Sequence, residues 1–181
     1  MSDDLLERVR ARARDNAFWR YLGVEVAEAS EGRVRLLVRA RDEIRNAPGA
    51  PVHGGVFSAL VDMAVGGALS TMHEAAAGGV GQTTVDLNVS FIGAGTGDVI
   101  AQGRILRRGR TIAFGEATIT DEAGKLLAVG RDLHDPAPQV TLSPPGRGQG
   151  EGVRGYRVRG RFTSAGAPSP RRAGSAASRR R

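Results

Sequence analysis

The most constraining feature of this 181-residue chain is a long segment, residues 52–72, in which almost every residue is apolar or small. The segment lacks the polar and apolar alternation of a half-buried strand, so it predicts a helix buried on all sides. A membrane span is the alternative, because about 20 apolar residues suffice to cross a bilayer. However, Asp62 lies mid-segment with four glycines around it, and a charged group at bilayer depth costs roughly 3 kcal/mol. We therefore expect a helix inside a protein core.

Short strand-like segments lie on both sides of this helix. Residues 24–26 and 33–39 are separated by a turn and predict a hairpin. Four further segments follow the helix, at residues 84–92, 99–107, 111–120 and 125–134. The short glycine-containing breaks between them predict one antiparallel meander. A sheet that curls around the central helix would bury it, which predicts an α+β domain.

The two ends of the chain differ from this domain. Asp3 and Asp4 open an amphipathic pattern that continues at helical spacing as far as Gly23, so residues 1–17 predict a lead-in helix before a domain at 18–135. Residues 136–181 hold ten arginines, one glutamate, six prolines and eight glycines, a net charge of +9. Residues 1–135 carry sixteen basic and eighteen acidic groups, a net charge of −2. We expect a disordered basic tail on a mildly acidic domain.

Composition narrows the range of functions. The absence of cysteine excludes disulfides, thiolate metal sites and a cysteine nucleophile, and the three histidines lack metal-ligand spacing, so neither a metal nor another cofactor is expected. The acidic N-terminus lacks the layout of a signal peptide, which favours a cytoplasmic location. Nucleic acid binding would fall to the tail as a nonspecific arm, because the domain has no basic stripe.

Asp62 is the first candidate for chemistry, because an ionised carboxylate in a dry interior needs a partner or a function. The alternative is a structural aspartate paired with a buried donor. The helix starts at His53, Gly54 and Gly55. The two glycines leave backbone N–H groups open to a ligand, and the helix dipole attracts negative charge there, such as a carbonyl oxygen becoming an oxyanion.

The spacing of these groups bears on the assembly. Asp62 follows Gly54 by eight residues, which is about 12 Å along one helix. Two groups so far apart cannot contact the same carbonyl. If both serve one reaction, Asp62 must come from one subunit and the Gly54 N–H from another, across a two-fold axis. A shared site therefore predicts a homodimer.

Several motifs follow one another in order: Asn46, the segment 52–55, Asp62, and the segments 84–91, 108–111 and 124–128. Together they resemble the hotdog-fold acyl-CoA thioesterases of the phenylacetate-degradation (PaaI-like) type. The resemblance covers roughly residues 18–134. It implies an antiparallel sheet wrapped around one long central helix, and hydrolysis of an acyl-CoA thioester without a metal ion. It also implies a homodimer or a dimer of dimers, that is, a homotetramer.

The resemblance also implies roles for single residues. The Gly54 N–H would polarise the thioester carbonyl, and Asp62 of the facing subunit would act as general base or nucleophile. Three residues would assist: Asn46 at the carbonyl, His53 at the start of the helix, and Thr84 by positioning the water or the carboxylate. Two departures from the family pattern are visible, since Asn46 precedes His53 by seven residues instead of six, and residues 73–81 form a longer connection.

Other assignments stay open at this level. Asn46 is equally suited to be a turn residue, and Thr84 to be simply a good strand former. The turn with Arg108, Gly109 and Arg110 could meet the CoA phosphates, or its arginines could be solvated turn charges. His73 and His134 receive no role. The competing function is a hotdog protein that binds acyl-CoA without turnover.

Overall fold

The computed structural model describes residues 2–72 and 82–135. The connection at 73–81 and the tail at 136–181, for which the sequence predicts disorder, lie outside the described residues. The helices are α1 (Ser2–Asp15), α2 (Ala17–Leu22) and α3 (Gly54–Ser70). The strands are β1 (Val24–Ser30), β2 (Arg33–Val38), β3 (Thr83–Phe91), β4 (Val99–Arg108), β5 (Ala113–Asp121) and β6 (Leu126–Asp135).

The six strands form one antiparallel sheet in the order β1-β2-β4-β5-β6-β3. The predicted meander is wrong at one step, because β3 pairs with β6 and not with β4. A strand has only two edges, and those of β4 are taken by β2 and β5. β3 is therefore left at the edge of the sheet beside β6, and residues 92–98 connect two strands that are not neighbours.

The predicted lead-in helix is two helices and not one. Asn16 ends the first and caps the second, because its side chain accepts hydrogen bonds from the backbone N–H groups of Phe18 and Trp19. Gly23, in the left-handed conformation at φ 70°, ends α2. Val9 and Trp19 belong to the same apolar core as the sheet, so both helices pack onto the domain.

Helix α3 lies against the sheet as the apolar segment predicts, with eleven of its residues buried. Three neighbouring strands carry a glycine where they cross it. A Cβ atom would lie 2.4 Å from the backbone of Ala64 if added to Gly103, and 2.6 Å from Val61 if added to Gly130. At Gly115 it would lie 2.2 Å from Val65. The helix therefore approaches the sheet more closely than any side chain there would allow.

One apolar surface is not covered. Leu87, Val89 and Phe91 pair in register with residues of β6 that face α3, so they lie on the helix side of the sheet. Yet Leu87 is 38% exposed and Phe91 is 58% exposed. We call these three residues the β3 apolar face.

No helix within the described ranges has the length and hydropathy needed to span a membrane.

Candidate active site

Asp62 and Thr84 meet where α3 passes the start of β3. The Thr84 hydroxyl donates a hydrogen bond to Oδ1 of Asp62, although the two residues are 22 positions apart in the chain. The Asp62 side chain is 40% exposed, so it lies at the surface of the subunit and can be reached from outside. The two residues that the resemblance associates are thus brought together, and Asp62 is not a carboxylate sealed in the core.

Behind Asp62 lies a buried pair that the sequence analysis missed. His134 Nε2 is 2.9 Å from Oδ2 of Asp132 and 3.9 Å from Oδ1 of Asp62. Asp132 is fully buried and His134 is 3% exposed. A signal was available in the sequence of β6. Ala128, Gly130, Asp132 and His134 occupy every second position of the strand, so all four share the face that packs on α3.

Charge and burial act in opposite directions in this cluster. Burial raises the pKa of Asp132, assisted by the neighbouring carboxyl of Asp62, while the hydrogen bond with His134 opposes the shift. Arg12 on α1 is a further charged residue that interacts with Asp62. Burial lowers the pKa of Arg12, and the negative charge of Asp62 opposes that shift. The Arg12 Nε atom has no hydrogen-bond partner among the described residues. Sequence reasoning had not included Arg12 in any site.

The same cluster contains a set of potential metal ligands. One ligand atom each from Asp62, Asp132 and His134 lies within 4.8 Å of the others, and two carboxylates with one imidazole suit a divalent transition metal. The contact between His134 and Asp132 has the length of an ordinary hydrogen bond. The expectation of a metal-free protein therefore stays a prediction, with these three residues as the place to test it.

The start of α3 presents one open donor. His53 caps the helix, because its Nδ1 accepts from the Gly55 N–H at 2.9 Å and its carbonyl accepts from the Val56 N–H at 2.9 Å. The Gly54 N–H makes no hydrogen bond within the described part of the chain. His53 thus shapes the start of the helix, as the resemblance implies. The cap pairs the N–H groups of Gly55 and Val56 and leaves that of Gly54 without a partner among the described residues.

Asn46 belongs to the loop before α3. Its side-chain amide and its backbone N–H both donate to the carbonyl of Pro51, at 3.2 and 3.1 Å. Asn46 is exposed. The structure places Asn46 in a turn and describes no contact between it and Gly54 or Asp62. Its assistance at a carbonyl stays a prediction.

The predicted CoA-binding turn lies at the Asp62 end of the sheet. Arg108 pairs with Ala113, Ala113 with His134, and His134 with Thr84, so the turn is three strand spacings, about 14 Å, from Thr84. The Arg108 guanidinium donates to the Met72 carbonyl. Gly109 closes the turn through the Ile112 carbonyl at 2.9 Å, and Arg110 is exposed.

A cavity of about 350 Å³ opens beside the start of α3. Its lining is mainly apolar and includes Phe18, Tyr21, Ile44, His53, Val56 and Ala59. The rings of Phe18 and Tyr21 are stacked, with centroids 6.5 Å apart and planes 10° apart. Both residues are more than half exposed, so Phe18 and Tyr21 form one wall of this cavity.

An antiparallel sheet packed on one central helix that carries an accessible carboxylate defines the class of hotdog-fold hydrolases. Comparison with known proteins agrees. Residues 51–128 match the family model described as the thioesterase superfamily. Human acyl-coenzyme A thioesterase 13 is 33% identical over 135 residues, which are 72% of this chain and 93% of that protein. This chain belongs to the thioesterase superfamily and is a thioester hydrolase.

Solved structures show the same fold. Zebrafish thioesterase superfamily member 2 is 33% identical, with a TM-score of 0.62 over 76% of this chain and 99% of that one. The PaaI protein of the Escherichia coli phenylacetic acid degradation operon is 18% identical, with a TM-score of 0.65 over 75% of this chain and 94% of that one. At this identity, the second match is evidence for the fold alone. The resemblance drawn from the sequence, and the α+β hotdog fold it implied, are confirmed.

Proposed function

We propose that this protein hydrolyses acyl-CoA thioesters to free acid and CoA in a site shared by two subunits. The observation that carries the proposal is the arrangement of two groups on one helix. An open Gly54 N–H and a hydroxyl-bound Asp62 carboxylate are separated by eight residues of α3, which is about 12 Å. The Gly54 N–H is suited to stabilising the carbonyl oxygen, and Asp62 is suited to activating water. A second copy of the chain can bring Asp62 of one subunit close to Gly54 of the other.

In the proposed reaction, the Gly54 N–H and the helix dipole stabilise the carbonyl oxygen as it gains negative charge. The partner subunit's Asp62 takes a proton from water while the water oxygen bonds to the thioester carbon. Cleavage of the carbon–sulfur bond then releases CoA, and the thiolate takes up the proton. Direct attack by the carboxylate is the other route, through an anhydride that water then hydrolyses. Thr84 orients the carboxylate in both routes.

The β3 apolar face supports the dimer. β3 is an edge strand with unpaired backbone groups, and three of its apolar side chains lie beside α3 without full cover from their own chain. Exposed apolar edges of this kind favour pairing with another chain. A two-fold contact along β3 would place the α3 helices of the two subunits side by side. A dimer of dimers would use a further surface.

The two ends of the substrate fit different places. The mainly apolar cavity beside His53 suits a medium-chain or aryl acyl group, because Phe18 and Tyr21 offer ring faces. The turn at Arg108, Gly109 and Arg110 lies toward Asp62 and suits the CoA phosphates, since guanidinium groups bind phosphate well. In the dimer, one subunit would hold the acyl group and the other the CoA.

The competing function is a hotdog protein that binds acyl-CoA without turnover, and a purified-protein assay separates the two. The assay measures the free thiol released from each member of a panel of acyl-CoAs, with and without a metal chelator. Release from at least one acyl-CoA supports the enzyme, whereas binding to several with no release from any supports the binder. A cytoplasmic location and nonspecific nucleic acid binding by the tail remain predictions from sequence.

The shared site has its own test. Asp62→Ala and Gly54→Val subunits, each nearly inactive alone, are mixed under conditions that allow subunit exchange. Each mixed dimer contains one site with an intact Asp62 and an intact Gly54, so activity should return in proportion to the mixed species. Differential tags measure how much mixed dimer forms. Mixed dimers without activity would show that the two groups do not meet across the interface.

A further inference from the structure

We propose that His134 is a positioning residue for Asp62: its Nε2–H, held by the buried Asp132 carboxyl, faces Oδ1 of Asp62 and keeps that carboxylate in one orientation. The inference rests on the proposed role of Asp62 in thioester hydrolysis. It assigns a function to two residues that neither the family motifs nor the reaction steps above use.

The geometry orients Asp62 from one side. Both the Thr84 hydroxyl and His134 Nε2 approach the same oxygen, Oδ1, the second at 3.9 Å. Neither of these two contacts involves the second oxygen, Oδ2. Because both neighbours of Nε2 are carboxyl oxygens, that nitrogen is best used as the proton-bearing one.

The imidazole ring has little freedom to turn away. It sits between β6 and α3, and a Cβ on Gly66 would lie 3.3 Å from His134 Cε1. Gln82 also lies against Gly66, with its Nε2 donating to the Gly66 carbonyl at 2.8 Å. Gly66 stands one helical turn after Asp62, so the glycine makes room for the ring directly beneath the carboxylate. The ring is packed in one orientation with Nε2 toward the two carboxyls.

The charged and titratable groups that face His134 come from several elements. β6 contributes Asp132 and α3 contributes Asp62, while the guanidinium of Arg12 on α1 interacts with Asp62. β3 contributes only the Thr84 hydroxyl, and β5 places Ala113 opposite His134. Among the described residues, removal of the imidazole would leave Asp62 with the Thr84 hydroxyl on Oδ1 and with no group in the place of His134 Nε2.

The test compares three proteins: the wild type, His134→Gln, and Thr71→Val. Thr71 is a matched control because it is 4% exposed and its hydroxyl is hydrogen-bonded at the C-terminal end of α3, accepting from the Gly32 N–H and donating to the Ala68 carbonyl. For His134→Gln we expect kcat to fall roughly ten- to a hundred-fold, as for other residues that orient a reacting group, with KM changed by less than about three-fold.

Thr71→Val should lower stability without changing kcat or KM. An unchanged kcat in folded His134→Gln would overturn the proposal and leave the pair a packing feature. Loss of wild-type activity on chelation, with recovery on adding Zn²⁺, would also overturn it, because His134 would then be a metal ligand. Full activity after chelation supports it.

A second readout does not need turnover. The imidazole nitrogen chemical shifts of His134, assigned by their absence in His134→Gln, are compared between the wild type and Asp62→Asn at one pH. A change supports electrostatic coupling between the two side chains, and identical shifts contradict it. If the wild type releases no thiol from any acyl-CoA, the proposed function fails, while this measurement still decides whether His134 and Asp62 act on one another.

Discussion

Asp62 is the residue on which the proposed chemistry depends, and Asp62→Asn separates its roles. The amide keeps the size of the side chain and can still accept from Thr84, but it cannot take a proton or act as a nucleophile. We expect kcat to fall by about 10²–10⁴-fold, the usual effect of losing a positioned base, with little change in acyl-CoA affinity. Stability should hold or rise, since a partly buried charge is removed.

The measurement combines steady-state kinetics, acyl-CoA binding and thermal unfolding on one preparation. Asp86→Asn is the matched control, because Asp86 is an exposed carboxylate on the same strand as Thr84. A folded Asp62→Asn protein with wild-type kcat would remove Asp62 from the mechanism. Reduced folding with activity per folded molecule preserved would instead show that Asp62 is a structural residue.

Asp132 predicts a pH effect on stability. Burial raises its pKa in the folded protein above the ordinary carboxyl value of 3.8, so the unfolded chain releases this proton at lower pH than the folded protein does. The free energy of unfolding therefore falls as pH rises from below 3.8 through the raised pKa of Asp132. The Asp132→Asn variant has no carboxyl to titrate at this position, so its free energy of unfolding does not show this fall. Urea unfolding should show the variant gaining stability over the wild type between acid and neutral pH, and a constant difference would contradict the assignment.

The sequence was sufficient to propose Asp62 and Thr84 but not the pair behind them. Asp62 stands out because it interrupts an apolar helix, a local pattern that one segment reveals. The small residues of β6 indicate which face of that strand carries His134, but the contact between His134 and Asp62 depends on where α3 crosses β6, which neither segment encodes by itself. Arg12 illustrates the same limit, because its relation to Asp62 exists only once α1 has packed onto the domain.

At the level of elements, the alternation of polar and apolar residues predicted where strands lie, but the sequence did not predict which strands pair. The predicted strands end within about two residues of the observed ones for β3, β4 and β6. Their order was predicted wrongly for β3, because the length of residues 92–98 suggested a hairpin. Pairing is decided by competition for the edges of β4, and β2, which lies far away in sequence, occupies one of them.

The glycines at which β4, β5 and β6 cross α3 lead to a prediction about packing. A Cβ on Gly103 would lie 2.4 Å from backbone atoms of Ala64, so Gly103→Ala forces the helix and the sheet apart. We expect the free energy of unfolding to drop by about 1–3 kcal/mol. Gly97→Ala is the control, because a Cβ there meets nothing within 4 Å, and its effect should stay within about 0.5 kcal/mol. Equal effects in chemical denaturation would contradict the close approach.

For the whole molecule, the β3 apolar face predicts that assembly and activity are linked. In Leu87→Lys, the new charge would lie in the proposed interface, where burying it without a partner is costly. We expect the dimer to dissociate at concentrations where the wild type stays associated, and thiol release to fall with the fraction of dimer. In an isolated subunit the same lysine can reach water, because Leu87 is 38% exposed there, so the fold should survive.

Leu106→Lys is the matched control, because Leu106 is 50% exposed on β4, away from the β3 edge. Sedimentation and thiol release, measured over a range of protein concentrations, follow assembly and activity together. The shared site requires both quantities to fall together in Leu87→Lys, and activity to recover as concentration restores the dimer. A Leu87→Lys monomer with wild-type activity would show that one subunit holds a complete site. The 12 Å between Gly54 and Asp62 would then have to be spanned within a single chain.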